Sequence, residues 1–198
     1  TTLKRLASRE VNLCTVEDPI EMVEPAFNQM QVQHNIDLSF ASGIRALLRQ
    51  DPDIIMIGEI RDQETAEMAI QAALTGHLVL STLHTNDAPS AISRLQELGI
   101  AYYLIKATLL GVMAQRLVRL LCPRCKRTTG GNDTEAIGCA ECRDSGYRGR
   151  AGVYEIMVLD DALKSLITPG TDVQALRRAA LQQGMCSLRM AGMHKVEA

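Results

Sequence analysis

Three short apolar runs alternate with longer stretches whose apolar residues return every three or four positions. Residues 11–16 (VNLCTV), 54–57 (IIMI) and 78–83 (LVLSTL) have the length of strands, carry β-branched residues and are bounded by turn-formers. Residues 63–74 place Ala66, Ala69, Ile70, Ala73 and Leu74 on one helical face, with Asp62 able to cap the start and Gly76 to end it. Residues 89–98 repeat the plan, with Pro89 in the first turn, Ile92, Leu95 and Leu98 facing inward and Gly99 as the stop. Residues 39–49 predict a third such helix, residues 102–121 a longer one, and residues 162–167 and 173–183 two more around Thr168-Pro-Gly-Thr171. Strand and helix alternating in this way predict an α/β fold, a mostly parallel sheet with helices on its faces, followed by a small helical subdomain.

Parallel strands in an open α/β sheet present their carboxyl ends to a common crevice, because the loops leaving those ends face the same way. Polar residues stand at all three such ends: Glu17-Asp18, Gly58-Glu59-Ile60-Arg61-Asp62 and His84-Thr85-Asn86-Asp87. If the three strands are neighbours, Glu17, Glu59 and His84 meet at one edge. Asp62 and Asp87 are explained by capping the helices after them. Glu59 is not, since it precedes the cap and sits on the flank of the apolar run.

The chain has 198 residues, 46% of them hydrophobic, enough for one domain of ordinary size with a small appendage. A net charge of -2 leaves no general basic field for a polyanion, so a nucleic-acid role would need a local patch. The longest apolar stretch, 101–121, is broken by Lys106, Gln115, Arg116 and Arg119, too polar for a lone membrane span. No opening segment has the sections of a signal peptide, and the chain reads as cytoplasmic.

Cys122-Pro-Arg-Cys125 is followed after 13 residues by Cys139-Ala-Glu-Cys142. Two such pairs can bring four thiolates to one tetrahedral ion, which predicts a structural zinc on Cys122, Cys125, Cys139 and Cys142. Disulfides are the competing reading, disfavoured by the paired two-residue spacing and a reducing compartment. Cys14 and Cys186 stand apart and are expected to be apolar packing residues.

TVEDPIE (15–21), RALLRQDPDIIMIGEIRD (45–62), TGHLVLSTLHTND (75–87), AQRLVRLLCPRC (114–125) and GYRGRAGVYEI (146–156) occur in the order seen in the ATPases of type II secretion and type IV pilus assembly, which this chain resembles. The resemblance implies a RecA-like P-loop ATPase core over 1–119, a tetracysteine zinc-binding insertion over 120–152 and a helical subdomain over 153–198. It implies ATP and Mg2+ as further cofactors. Glu59 in the atypical Walker B position would polarise the attacking water, Glu17 would act through magnesium or its waters, and Asp18, Gly58, His77 and His84 would line the same nucleotide site. Gly58 stands where many P-loop enzymes carry a magnesium-associated aspartate. Either histidine taken alone is more often a satisfied structural residue than a sensor. Arg45, Arg49 and Arg150 would supply charge near subunit contacts, although Arg45 and Arg49, four apart, also fit a solvated helix face.

The family resemblance further implies a homo-hexamer docked through partner proteins on the inner membrane. SGIRALLRQDPD and TLLGVMAQRLVR look closer to the secretion branch than to the pilus-assembly branch, which is the alternative. No G-x-x-x-x-G-K-[ST] loop occurs in the 198 residues, and the opening Thr1-Thr2-Leu3 resembles the residues just past that loop in the family, so the resemblance places it upstream of residue 1. Two readings from other classes stay open. One is a non-catalytic ring subunit. The other is a nucleic-acid-binding RecA-like protein, for which Arg124, Lys126, Arg127, Arg143, Arg148 and Arg150 make a basic cluster, but Tyr147 is the one aromatic beside it, so nucleic acid is not the expected partner.

Overall fold

The computed structural model describes residues 2–130 and 133–197. Thr1 of the opening stretch, and Gly131 and Asn132 between the cysteine pairs, lie outside the described residues. The chain divides into two compact units, Thr1–Thr85 with Ala91–Leu109 and Lys164–Asp172, and Asn86–Ser90 with Leu110–Leu163 and Val173–Ala198. These units follow different seams from the three-part division expected at 119/120 and 152/153.

The first unit runs through α1 (Thr2–Leu6), β1 (Leu13–Glu17), β2 (Asn28–Gln31), α2 (Phe40–Leu47), β3 (Ile54–Ile57), α3 (Gln63–Leu74), β4 (Leu78–Ser81), α4 (Ser90–Glu97, from its second residue) and α5 (Tyr102–Thr108). Its sheet is wholly parallel in the order β2-β1-β3-β4. The three strands expected from the apolar runs are therefore direct neighbours. Leu13, Cys14, Val16, Ile55 and Ile57 are fully buried, and Ile44 of α2 and Ala66 and Ala72 of α3 join them in the core. Each large aliphatic side chain so buried contributes about 1.5–3 kcal/mol of gross stabilisation. Ser39 caps α2 through a reciprocal pair with Ser42, and Asp62 caps α3 by accepting from the Thr65 N–H at 2.8 Å. Cys14 is buried, which pushes its thiol up and suits packing rather than nucleophilic work.

In the second unit β5 (Gly111–Leu121) and β8 (Tyr147–Val158) form a long antiparallel pair, and β6 (Lys126–Gly130) and β7 (Asp133–Ala136) form a hairpin between them. The chain then makes α6 (Asp161–Ser165), α7 (Val173–Gln182) and α8 (Leu188–Glu197). The long helix expected over 102–121 is corrected here: α5 stops at Thr108, Leu109 turns extended, and the remainder is strand. Gly111 favours the break, and from there one face of β5 carries Val112, Ala114 and Val118 while Met113, Gln115 and Leu117 point the other way. A period of two fitted the apolar positions as well as a period of 3.6. The partner that decides between them, β8, begins 26 residues later. Leu176 and Ala180 of α7 are buried in this unit, and α8 was not anticipated. No helix of the described residues is long and apolar enough to cross a membrane.

Candidate active site and metal centre

The carboxyl ends of β1, β3 and β4 deliver Glu17, Glu59 and His84 to one edge of the sheet. β3 continues past Ile57 as a guided segment: the Gly58 N–H donates to the Val16 carbonyl at 2.8 Å, the Gly58 carbonyl accepts from Thr82 Oγ1 at 2.7 Å, and the Ile60 N–H reaches the Thr82 carbonyl at 3.0 Å. Glu59 is thus held between β1 and β4 by its neighbours' backbone. A Cβ at Gly58 would lie 3.2 Å from the Val16 carbonyl oxygen and 3.4 Å from the Phe40 ring, so the close approach of β1 accounts for a glycine there. Gly58→Ala is expected to destabilise by about 1–2 kcal/mol in urea unfolding, because the crowded atom is backbone rather than a flexible side chain. Unfolding identical to the parent would show that β1 yields freely.

The Glu59 carboxylate is 14% exposed and uses both oxygens: Arg61 Nη2 lies 2.6 Å from Oε1 and His84 Nε2 3.0 Å from Oε2. Burial works to raise its pKa, but the hydrogen bonds and charges of Arg61 and His84 outweigh it and hold the carboxyl below its usual value. Glu17 accepts from Thr15 Oγ1 at 2.6 Å and from Gln29 Nε2 at 2.9 Å. Gln29 is fixed in turn, its amide donating to the Met22 carbonyl at 3.1 Å and accepting from the Glu24 N–H at 2.7 Å. Each of the two carboxylates, on adjacent strands and oriented by its own hydrogen bonds, can orient a water.

The other expected residues lie elsewhere. His77 precedes β4 whereas His84 comes after it, so about 13 Å of strand separates them. His77 Nδ1 faces the Ala72 carbonyl at 2.9 Å and Thr75 Oγ1 at 3.0 Å, tying the end of α3 to the start of β4. Asp18 is 3.8 Å from His34. Arg45 turns towards α3, with Glu64 at 3.5 Å and Met68 Sδ at 3.9 Å, and Arg49 is exposed just beyond α2. Arg150 is exposed on β8, directly opposite Arg119 in the register. Sequence reasoning missed Thr15, Gln29 and Arg61. Thr15 and Arg61 each stand two positions from a candidate carboxylate, the spacing that puts side chains on one face of an extended chain.

In the second unit Cys122, Cys125, Cys139 and Cys142 gather with all four sulfurs within 4.8 Å of one another. The closer pairs are 3.7 Å for Cys125–Cys142, 3.7 Å for Cys139–Cys142 and 3.9 Å for Cys122–Cys139. A tetrahedral zinc with Zn–S bonds of about 2.3 Å requires sulfurs about 3.8 Å apart. None of the four is in a disulfide. Burial works to raise the Cys142 thiol, but N–H donors from Cys139 at 3.2 Å and Gly146 at 3.3 Å help bring it down to about 6, towards the thiolate a metal needs. Gly146 has φ +74°, and a Cβ there would meet Ala136 at 2.6 Å, so the donor to Cys142 sits where a side chain does not fit. The cluster is compatible with a tetracysteine zinc site.

A sequence model of the family described as type II/IV secretion system protein matches residues 1–198. The type IV pilus assembly ATPase TfpB of Acinetobacter baylyi is 55% identical over 99% of this chain and 37% of its own length. The type II secretion system protein HxcR of Pseudomonas aeruginosa is 52% identical over 96% of this chain and 40% of its own. The chain thus spans about two fifths of the curated relatives it matches. Among solved structures, the pilus retraction motor PilT with bound ADP superposes at a TM-score of 0.68 with 31% identity, covering 96% of this chain and 54% of that one. The parallel sheet with Glu59 at its carboxyl edge is therefore the RecA-like core of such ATPases, and the chain belongs to the type II/IV secretion system protein family.

Proposed function

We propose that this chain carries part of the catalytic core of a cytoplasmic assembly ATPase of type II secretion, working as a homo-hexamer docked on inner-membrane partners. The observation that carries the reading is Glu59, a largely buried carboxylate fixed just past the end of β3 by Arg61 and His84. Phosphoryl transfer to water depends mainly on positioning and on charge stabilisation. Glu59 orients the attacking water and accepts its proton as the bond from that water to the γ-phosphorus forms and the bond to the β–γ bridging oxygen breaks, with ADP leaving. Glu17, steadied by Thr15 and Gln29, would act on a bound magnesium directly or through its waters. Magnesium, when bound, neutralises charge on the phosphates. His84 reports to Glu59 whether the γ-phosphate is present, Asp18 and Gly58 shape the surrounding loops, and His77, at the turn after α3, couples the nucleotide state to domain movement. Arg45, Arg49 and Arg150 act at subunit contacts. The four cysteines would hold a zinc that stiffens the segment 120–152.

Type IV pilus assembly is the second reading, favoured by the 55% identity to TfpB. ATP turnover by the full natural protein tests the shared part. Magnesium-dependent hydrolysis that rises more steeply than protein concentration is expected, because the site needs neighbouring subunits. Absence of turnover in the assembled protein would replace this reading with a structural ring subunit.

A further inference from the structure

Thr15 and Glu17 of β1 stand directly opposite Gln29 and Gln31 of β2 in the parallel register, so the four share one face of the sheet. Both hydrogen bonds made to the Glu17 carboxylate fall on the same oxygen, Oε1, from Thr15 Oγ1 at 2.6 Å and from Gln29 Nε2 at 2.9 Å. Oε2 accepts none among the described residues. Glu59 differs, since Arg61 and His84 take up one oxygen each. Of the two candidate carboxylates, Glu17 is the one held by a single oxygen with the other left open.

The same glutamine holds the chain that leaves β1. Its Nε2 also donates to the Met22 carbonyl at 3.1 Å, and its Oε1 accepts the Glu24 N–H at 2.7 Å. These contacts fix which way the amide points, because both acceptors face its nitrogen and the donor faces its oxygen. Apolar burial does little for this loop, in which Met22 is 61% and Val23 80% exposed. Its other ties are polar as well: Gln31 Oε1 accepts the Ile20 N–H at 3.2 Å, and Lys4 of α1 pairs with Glu24. No bond joins the Gln31 side chain to the Glu17 carboxylate among the described residues. A methionine at position 29 would fill the volume of the glutamine and make none of its bonds to Glu17, Met22 and Glu24.

We infer that Gln29 is a positioning residue that selects which oxygen of Glu17 stays open and locks the loop 18–24 in the conformation that leaves it so. The role rests on the reading of Glu17 as a carboxylate acting on bound magnesium. A small divalent cation held with phosphates keeps several waters and uses only one or two carboxylates, so the direction of each carboxylate counts. Partners that orient such a carboxylate from behind typically change metal affinity by about 10–100-fold. The arrangement fits that task, with two donors on one oxygen and none on the other. Thr15, Glu17, the loop and Gln29 all belong to the first unit.

The test uses the full natural protein with Gln29→Met, which keeps length but loses these bonds, and Gln31→Met, which frees the loop at Ile20 without touching the carboxylate. Gln29→Met is expected to weaken Mn2+ binding in the presence of ADP, followed by electron paramagnetic resonance, by about 10-fold, and Gln31→Met by less than about 2-fold. The half-saturating Mg2+ for ATP turnover should rise by a similar factor in Gln29→Met, with kcat at saturating Mg2+ within about 3-fold of the parent. In a Glu17→Gln background Gln29→Met should add less than about 2-fold to the loss of Mn2+ affinity, because it acts through that carboxylate. Equal weakening by the two methionine variants, an undiminished effect in the Glu17→Gln background, parental Mn2+ affinity in Gln29→Met, or a parent that binds no Mn2+ would each overturn the inference. Amide exchange reads the loop directly. Exchange at Glu24 is expected to quicken by about 10-fold in Gln29→Met, and unchanged exchange there would overturn the lock on the loop. A protein that binds Mn2+ with ADP yet hydrolyses no ATP would sink the catalytic reading, and the Mn2+ and exchange data would still decide the role of Gln29.

Discussion

Glu59→Gln in the full natural protein is expected to lower ATP turnover by roughly 100-fold or more while nucleotide binding is retained. The substitution keeps the shape and at least one hydrogen-bonding oxygen beside Arg61 and His84, so β3 and its neighbours have no reason to move. It removes the negative charge that the proposed mechanism needs to orient and deprotonate water. Turnover at the parental rate would transfer the catalytic role to Glu17. The pH profile makes the same point from the other side. Against the upward pull of burial, Arg61 and His84 hold the Glu59 carboxyl below its usual value, so its ionised form persists as the pH falls and the acid limb of turnover lies below the ordinary glutamate range. Arg61→Gln removes one of the two groups that lower it, and the acid limb is expected to move up in pH. An acid limb that does not move would mean that Arg61 leaves Glu59 unaffected during turnover.

Cys142→Ser is expected to remove the bound metal and loosen the segment from Cys122 to Gly146. Cys142 is the best-buttressed of the four thiols, with N–H donors from Cys139 and Gly146, and it makes two of the short sulfur contacts. A tetracysteine site binds through thiolates, and three ligands with a hydroxyl cannot close the tetrahedron around a structural zinc. Zinc content by metal analysis should fall from about one ion per chain to a small fraction, with faster proteolysis within 122–146. Every residue of β6 is exposed, so the β6–β7 hairpin draws little order from apolar burial, and a metal on the four cysteines is expected to order this stretch. A parent protein isolated without zinc, and unable to take it up after reduction, would remove the metal reading.

The placement of much of the candidate edge was legible in the residues alone. The apolar runs at 11–16, 54–57 and 78–83 became the strands Leu13–Glu17, Ile54–Ile57 and Leu78–Ser81 because β-branched and aliphatic residues bounded by turn-formers have few other ways to be buried. Polar residues placed at the ends of those runs then had to share an edge once the strands were parallel neighbours. The cysteines were legible because their spacing is itself the geometry of a knuckle. His77 marks the limit of local reading: its motif placed it with His84, yet the strand between them carries it to the other end of β4, where it serves the turn after α3.

The sequence by itself determined where the carboxylates, the histidine and the thiols fall relative to local elements, because local periodicity and turn chemistry act over a few residues. Only the tertiary structure decided that residues 111–121 are strand rather than helix, that Arg61 and His84 take up both oxygens of Glu59, and that Glu155 reaches 67 residues back to Ala88. These are choices of partner between segments far apart in the chain. Such choices are settled by which buried polar and apolar groups can satisfy one another once the loops have closed, and no window of a dozen residues carries that information.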